Sequence, residues 1–332
     1  MNVERLASGT CDRPFPVYDD LVGRLLAAHG PNDAGRDAVV AHVLGTCAGY
    51  AYADIETMSM VMARLGLERS ACVRIAQIVD AMYIFSTAYL VQSQCGRAAI
   101  LCYRGTELTN LGNWLEDADI GSDAIALGSD VLAVHSAFYR NVCATRLAVI
   151  NELDLALQGR SLLDPQKSVE HPLEALYVTG HSLGGAMAVL FSLSLAAAAE
   201  HRGMAARLRA IYTFGQPLAI GEPLPEVARE LGSKVFRHVN ARDLVPSLPP
   251  AAWGHFVHIG AEYRHVDGEW RRSAVPVSQL MRVREIPRAM LAFLATKKHR
   301  DSSRYTMAEH GPHRYIAALR PKGRVDEFGG PG

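Results

Sequence analysis

Several common classes of protein are excluded by what this chain lacks. Among its 332 residues, 34 Lys and Arg balance 34 Asp and Glu, so the formal net charge is zero, which argues against a nucleic-acid-binding protein. No apolar run reaches membrane-spanning length without polar interruption, so we expect no transmembrane segment. The N-terminus MNVERLASGTCDRPFP has no apolar core of a Sec signal peptide. We therefore expect a cytoplasmic protein, or one that is secreted without a leader or after its removal.

Cysteine is also scarce. The chain has six cysteines, none of them in a C-x-x-C pair and none joined by a His cluster at metal-ligand spacing. In a chain of this length they are expected to be free, partly buried thiols rather than a disulfide framework. Apolar residues, in contrast, make up 49% of the chain, which is enough for a sizeable core. The length of 332 residues allows one large domain or two ordinary ones.

The stretch YVTGHSLGGAMAVL, residues 177–190, carries the strongest local signal. Apolar β-formers precede it and an alanine-rich, helix-forming run follows, so Ser182 is predicted on a tight strand-to-helix turn. The spacing from Gly180 to Gly184 is G-x-S-x-G, the pattern that exposes a nucleophilic serine on such a turn. A chance G-x-S-x-G in a glycine-bearing turn is the alternative, but the strand–turn–helix setting favours a nucleophile.

The rest of the chain predicts an α/β fold. Residues 17–81 are expected to be mainly helical, with a stripe of methionines (Met58, Met60, Met62) that is typical of core packing. A hairpin is expected over residues 88–103, and strands and helices then alternate up to a last helix at 304–319. This order favours a mostly parallel central sheet covered by helices. We expect an N-terminal helical region over residues 1–80, a core domain over 81–320 and a disordered tail over 321–332.

A serine nucleophile needs a base and an acid that orients the base, in the chain order Ser, Asp or Glu, His for this architecture. Asp243 lies just past a predicted strand at 234–239, where the carboxyl ends of parallel strands gather functional groups. An Asp that only caps a turn is the alternative. His310 and His313 both precede the last helix and both remain candidates for the base, with His310 favoured. His258 lies in an apolar, strand-like run and is expected to be a core histidine.

An oxyanion hole requires two N–H groups. Leu183, directly after the nucleophile, is expected to supply one from the N-terminus of the helix. Thr106, which follows the predicted strand at 98–103 and the turn Arg104-Gly105, is expected to supply the other. This chemistry requires no metal and no organic cofactor.

Five motifs together resemble the class 3 lipase family of the α/β-hydrolase superfamily: YRGTE (103–107), VHSAF (134–138), GHSLGG (180–185), YTFGQP (212–217) and VNARDLVPSLPP (239–250). The resemblance spans residues 98–320. It implies an α/β-hydrolase fold with Ser182, Asp243 and His310 as the catalytic triad and Thr106 in the oxyanion hole. It also implies a lid over residues 110–117, with Leu111 and Trp114 as its apolar face.

The expected activity is hydrolysis of a carboxylic ester through an acyl-enzyme, with an acylglycerol at a lipid–water interface as the expected substrate. A phospholipase A1, a short-chain esterase and an acyltransferase are alternatives within the same chemistry. A non-catalytic lipid-binding relative is an alternative of another class, against which the complete set of expected catalytic residues argues. The basic residues between 264 and 304 are expected to form a solvated face, with peripheral contact to anionic lipid as the alternative.

Overall fold

The central element of the protein is a large twisted sheet. The computed structural model describes residues 1–27, 37–82, 84–105, 122–127, 130–251, 254–279 and 307–331. In chain order the strands are β1 (Asn2–Ala7), β2 (Ala71–Val79), β3 (Ile84–Gln92), β4 (Ala98–Tyr103), β5 (Ser122–Leu127), β6 (Asp130–His135), β7 (Ala175–His181), β8 (Leu208–Phe214), β9 (Ile220–Gly221), β10 (Val235–Asn240), β11 (Phe256–Val257), β12 (Ala261–Val266) and β13 (Glu269–Arg272). The helices are α1 (Leu21–Leu26), α2 (Ala38–Tyr50), α3 (Ile55–Leu65), α4 (Ser136–Leu157), α5 (Leu183–Ala197), α6 (Arg202–Ala205), α7 (Glu226–Gly232) and α8 (Pro312–Leu319).

Within the described ranges, nine strands form this sheet in the order β1-β2-β3-β4-β7-β8-β10-β12-β13. Strands β4, β7, β8, β10 and β12 run parallel to one another, and the strands outside them pair antiparallel. Helix α5 connects β7 to β8, and α7 lies between β8 and β10, as crossovers between parallel strands require. The predicted α/β-hydrolase fold, with a mostly parallel sheet and flanking helices, is confirmed.

Alternate residues of the central strands point to two separate cores. Leu101 of β4 and Val178 of β7 pack with α4 and α5 on one face, whereas Ile100 and Tyr177 pack with α1, α2, α3 and α8 on the other. Both faces of β4 and β7 are therefore buried, which is why these two strands read as largely apolar runs. The methionine stripe of α3 lies in the second core, with Met58 and Met62 fully buried, as predicted.

A second, antiparallel sheet lies beside the main one. Its four strands within the described residues follow the order β11-β9-β6-β5. The sequence predicted a strand at residues 131–134 as part of the strand–helix alternation, and this strand is β6. Its place outside the main sheet was not predicted, because alternation along the chain does not specify which sheet a strand joins.

The N-terminal segment also differs from the expectation. Its described residues include three helices, but β1 and β2 are hydrogen-bonded into the main sheet, with Asn2 opposite Ala76 and Ala71 opposite Gln92. The mainly helical assignment of residues 17–81 is therefore wrong for residues 71–79. The division into regions at residues 80 and 81 stays a prediction.

The expected disorder of the C-terminal tail is not what the structure describes for residues 321–331. Glu327 is buried, and its carboxylate accepts a hydrogen bond from the Tyr50 hydroxyl at 2.7 Å. The guanidinium of Arg64 donates to the main-chain oxygen of Glu327 at 2.8 Å. The tail thus packs along α2 and α3, an arrangement that its Gly- and Pro-containing composition gave no reason to expect.

Helix α5 is apolar on every side because it is enclosed between the main sheet and α4. Among the described residues, no single helix is both long and apolar enough to cross a membrane. Helix α5 and the helical segment Ala199–Ala205 pass such a test only as a pair, and they are bent by 97° at their junction.

The six cysteines are all unpaired, and Cys47, Cys72 and Cys102 are buried in the second core. The described members of the basic region include two arginines in ion pairs. Arg264 contacts buried Glu262 at 2.7 Å, and Arg271 contacts Glu269 at 2.8 Å. Residues 280–306, which carry most of the basic residues of that region, lie outside the described ranges.

Buried histidines couple the stability of this fold to pH. The His42 Nδ1 and the Tyr18 hydroxyl form a hydrogen bond of 2.9 Å. Burial lowers the pKa of His42 to about 4. His238 is surrounded by Tyr212, Phe214, Tyr263 and Trp270, and burial lowers its pKa to about 3. In the unfolded chain both groups titrate near 6.5. Protons therefore favour the unfolded state below that pH.

We expect the buried neutral histidines to make their whole contribution to the free energy of unfolding above pH 6.5. This free energy should fall as the pH drops toward 4. Each of these histidines contributes a slope of about 1.4 kcal/mol per pH unit in that window. Urea unfolding of wild type and His238→Phe at pH 7, 6 and 5 measures it, and the variant should show the shallower slope. His171→Gln, which changes a partly exposed histidine, is the control. Equal slopes in wild type and His238→Phe would contradict the expectation.

Candidate active site

Ser182 occupies the turn between β7 and α5, with φ 57° and ψ −131°. Positive φ is costly for a residue with a Cβ, so the surrounding structure must hold it in place. The Ser182 N–H donates to the carbonyl of Phe214 in the neighbouring strand at 2.9 Å. A methyl group at Gly180 would overlap the main chain of Gly184, and one at Gly184 would overlap the Tyr103 carbonyl. These close approaches explain why glycines flank the serine at this spacing.

The N-terminus of α5 begins directly after Ser182. The N–H of Leu183 is one of the first N–H groups of this helix, which have no partner inside the helix, and the helix dipole adds positive potential there. An oxygen anion next to Ser182 would thus meet a donor and a favourable field.

Asp243 and His310 form a buried pair. Asp243 follows β10 on the next loop, and His310 ends a short 3₁₀ turn, Met307–His310, just before α8. The His310 Nδ1 lies 2.8 Å from the Asp243 Oδ2, and both side chains are fully buried. Since a carboxylate oxygen only accepts, Nδ1 carries the proton in this bond. His313, the other candidate, is exposed in the first turn of α8.

This pairing leaves the second ring nitrogen of His310 available. The Nε2 of His310 is buried and has no hydrogen-bond partner in the described structure. Gly215, at φ 59°, passes so close that a Cβ would lie 2.8 Å from the Asp243 Oδ2 and 2.8 Å from the His310 ring. A side chain at this position would therefore separate or displace the pair.

Two further donors hold the Asp243 carboxylate. The Val245 N–H donates to Oδ1 at 2.9 Å, and the Tyr315 hydroxyl donates to Oδ2 at 2.6 Å. Burial and the nearby Asp243 raise the pKa of Tyr315 well above its usual value, so Tyr315 keeps its proton for this bond. Tyr315 is not among the residues that the sequence motifs single out. The tyrosine five residues after His310 was the available signal.

His258 lies near the acid loop as a structural group. Its Nε2 donates to the carbonyl of Pro246 at 2.8 Å, and burial holds its pKa well below the usual value. The histidine is neutral and braces the segment that follows Asp243, but its side chain is half-buried rather than part of the fully buried core that was expected.

The predicted oxyanion and lid residues Thr106, Leu111 and Trp114 lie outside the described residues. The strand that leads to Thr106 is β4, as predicted. It ends at Tyr103 and is followed by Arg104 and Gly105. A Cβ at Gly105 would lie 3.3 Å from the Cβ of Ser182. The chain therefore passes directly beside the serine one residue before Thr106. Over the described ranges, no group of three or more His, Cys, Asp or Glu residues has the arrangement of a metal site.

The substitution Tyr315→Phe tests the hydrogen bond from the Tyr315 hydroxyl to the Asp243 carboxylate. Because hydrogen bonds to a charged group contribute about 1.5–3 kcal/mol, we expect the free energy of unfolding to fall by about that amount. Ester hydrolysis should fall by less than about tenfold, since His310 and Val245 still hold the carboxylate. Urea unfolding and initial rates on a soluble ester measure the two effects. An unchanged stability would show that the hydroxyl contributes little.

Comparison with known proteins gives a consistent result. Residues 100–253 match the family model described as lipase (class 3). A lipase of Rhizomucor miehei is 41% identical over 112 residues, which are 33% of this chain and 30% of that protein. A triacylglycerol lipase of Arabidopsis thaliana is 30% identical over 176 residues, covering 45% of this chain and 34% of that protein. The matched stretches thus span about a third of the length of these two relatives.

Solved structures extend the likeness to nearly the whole chain at the level of fold. The crystal structure of a lipase from Rhizopus microsporus var. chinensis matches with a TM-score of 0.55 and 17% identity, covering 91% of this chain and 93% of that one. The sheet order and the serine on its strand–turn–helix connection define a protein with the α/β-hydrolase fold. Within that fold, the chain resembles the class 3 lipase family over residues 100–253, a little under half of its length. The resemblance predicted from the five sequence motifs is confirmed.

Proposed function

We propose that the protein is a serine hydrolase of carboxylic esters, with acylglycerols as its substrate class. The observation that carries the proposal is the arrangement of three elements. Ser182 is held at positive φ on the turn before α5, His310 is buried against Asp243 at 2.8 Å, and the other nitrogen of His310 has no hydrogen-bond partner among the described residues.

Proton transfer is the task of His310. Because Nδ1 donates to Asp243, Nε2 has a lone pair that can accept the Ser182 hydroxyl proton as the oxygen attacks the acyl carbon. The imidazolium formed in this step lies against the Asp243 carboxylate, which stabilises it and keeps the ring in its orientation. Burial of this pair strengthens the interaction because little water screens it.

The negative charge that develops on the carbonyl oxygen needs donors. The Leu183 N–H at the start of α5 supplies one, and we assign the second to the Thr106 N–H. Loss of one such donor typically raises the barrier by about 3–4 kcal/mol. The alcohol then leaves with the proton from His310, and a water molecule, activated by the same nitrogen, hydrolyses the acyl-enzyme.

An acylglycerol substrate is supported by the lipase family model that residues 100–253 match and by the substrate class named for the Arabidopsis thaliana relative. Such substrates collect at lipid–water interfaces. The assignment of Leu111 and Trp114 to a lid, and the peripheral lipid contact of the basic region, stay predictions.

A hydrolysis profile of the purified protein tests the proposal. The substrates are p-nitrophenyl esters from acetyl to palmitoyl, followed by emulsions of a long-chain triacylglycerol and of phosphatidylcholine, each with Ser182→Ala as the blank. Release of fatty acid from the triacylglycerol by wild type alone is expected. Cleavage confined to the phospholipid, or to short soluble esters, would replace the substrate class by a phospholipase or an esterase. Absence of all hydrolysis would favour a lipid-binding relative.

A further inference from the structure

The residue before the nucleophile, His181, is a buried polar side chain to which the reaction above gives no role. It is 2% exposed, and both of its ring nitrogens have partners. The Nε2 lies 2.7 Å from the main-chain oxygen of His310, and the Nδ1 lies 2.9 Å from the hydroxyl of Tyr52. The rings of His181 and His310 are 4.6 Å apart between centroids.

These partners determine the tautomer of His181. A carbonyl oxygen can only accept, so the Nε2 of His181 must carry the proton. In the neutral ring the Nδ1 is then an acceptor, and the Tyr52 hydroxyl is its donor. Donation thus runs in one direction, from Tyr52 to His181 and from His181 to the main chain of His310.

We propose that His181 is a positioning residue for His310, and that Tyr52 holds His181 in the tautomer that this role requires. The proposal rests on the function proposed above. Asp243 holds the His310 ring at Nδ1, and the Asn240 amide donates to the main-chain oxygen of the preceding residue, Glu309, at 2.8 Å. The bond from His181 fixes the His310 carbonyl, so the ring is held both at its side chain and at its main chain.

The location of His181 also couples the base to the nucleophile. His181 directly precedes Ser182 in the chain. A displacement of the His310 carbonyl is therefore transmitted through the His181 hydrogen bond to the serine. Since a misplacement of about 1 Å can reduce a rate by about 100-fold, a direct link between the two reacting groups has a large effect on rate.

Charge supports the same role. Burial and the neighbouring His310 hold the pKa of His181 well below its usual value, so the His181 ring stays neutral during the proposed reaction. Two imidazoles at this distance cannot easily both be charged. A neutral His181 leaves the positive charge of the reaction to His310, which has the Asp243 carboxylate beside it.

Tyr52 connects this pair to the third part of the site. It lies on the loop between α2 and α3, and the Arg104 guanidinium carbon is 5.8 Å from the centroid of its ring. A methyl group at Gly105 would overlap the Tyr52 hydroxyl. Tyr52 therefore fills the space between the turn that bears Ser182 and the strand end that leads to Thr106.

The test compares His181→Leu, His181→Gln and Tyr52→Phe. The chain offers a matched control in a second buried His–Tyr pair, His42 with Tyr18, whose hydroxyl and Nδ1 are 2.9 Å apart. His42→Leu and Tyr18→Phe should cost stability in a similar way without contact to His310. Rates are measured on a soluble p-nitrophenyl ester, and each is divided by the folded fraction obtained from urea unfolding.

We expect His181→Leu to lower kcat by about 10- to 100-fold with little change in KM, as for the loss of a hydrogen bond to a buried group. His181→Gln should recover most of the rate, because its amide nitrogen can replace the Nε2 donor. Tyr52→Phe should lower kcat about three- to tenfold in the wild-type background and have no further effect in His181→Leu. Neither His42→Leu nor Tyr18→Phe should change kcat by more than about twofold.

Other outcomes would overturn the inference. They are a kcat of His181→Leu equal to that of wild type, a failure of Gln to restore the rate, or an equal loss in His42→Leu. Tyr52→Phe removes a single oxygen, so it provides the answer even if His181→Leu does not fold. Failure of the proposed function is distinguishable, because wild type itself would then hydrolyse no ester.

Discussion

Ser182→Ala is expected to abolish ester hydrolysis, with kcat reduced by about 10⁵-fold or more, as for the removal of a serine nucleophile in a triad. The reason is chemical, since the methyl group cannot form an acyl-enzyme. The fold should be unchanged, because alanine keeps the Cβ and thus the same backbone strain at φ 57°. Initial rates on a soluble ester and urea unfolding of both proteins measure the two parts.

Two controls sharpen this experiment. Ser192→Ala removes a buried serine from α5 whose hydroxyl only bonds the Ala188 carbonyl at 2.8 Å, and it should retain activity. Ser182→Gly should be inactive yet more stable than Ser182→Ala by about 1 kcal/mol, since glycine relieves the positive φ. Turnover of Ser182→Ala near the wild-type rate would refute the assignment of the nucleophile.

His310→Ala is the second change for which a large effect is expected, again a loss of about 10⁵-fold in kcat. His313→Ala, three residues away, should stay within about twofold of wild type, because His313 is exposed and the bond to Asp243 is made by His310. Initial rates on the same soluble ester measure both. The reverse result would transfer the role of the base to His313.

Removal of the His310 ring also leaves the buried Asp243 carboxylate without one of its donors, so His310→Ala is expected to lose stability. His310→Asn provides the control for that effect. Its amide nitrogen can take the place of Nδ1 toward Asp243, while no nitrogen replaces Nε2. We expect His310→Asn to be nearly as stable as wild type and as inactive as His310→Ala.

Local patterns predicted the central strands well. The strand Ala98–Tyr103 agrees with the prediction at both ends, and β10, which precedes Asp243, begins one residue after its predicted start. Strand β4 is buried on both faces and is apolar throughout, whereas β10 is equally buried but holds Arg237, His238 and Asn240. The same local signals did not place β2 in the main sheet, because its residues were read as part of a helical segment.

The candidate site likewise contains one residue that a local pattern identifies and one that only a long-range contact distinguishes. Ser182 was identified from G-x-S-x-G because the close approaches around the turn allow only glycine at Gly180 and Gly184, and that constraint is visible in the sequence. The histidines near the C-terminus were not separable by any local signal of comparable strength. His310 is distinguished by a contact with Asp243 across 67 residues of chain.

What the sequence by itself determined is the class of fold, the resemblance to a lipase family and the place of Ser182 on a strand–turn–helix connection, since these depend on periodicity and on glycine spacing within short segments. Only the tertiary structure decided which strands join which sheet, that Tyr315 bonds Asp243, and that Tyr52 and His181 lead to His310. The physical reason is that buried polar side chains must find partners, and those partners are chosen by which segments meet in space. Tyr52 and His181 are 129 residues apart in the chain and 2.9 Å apart in the protein.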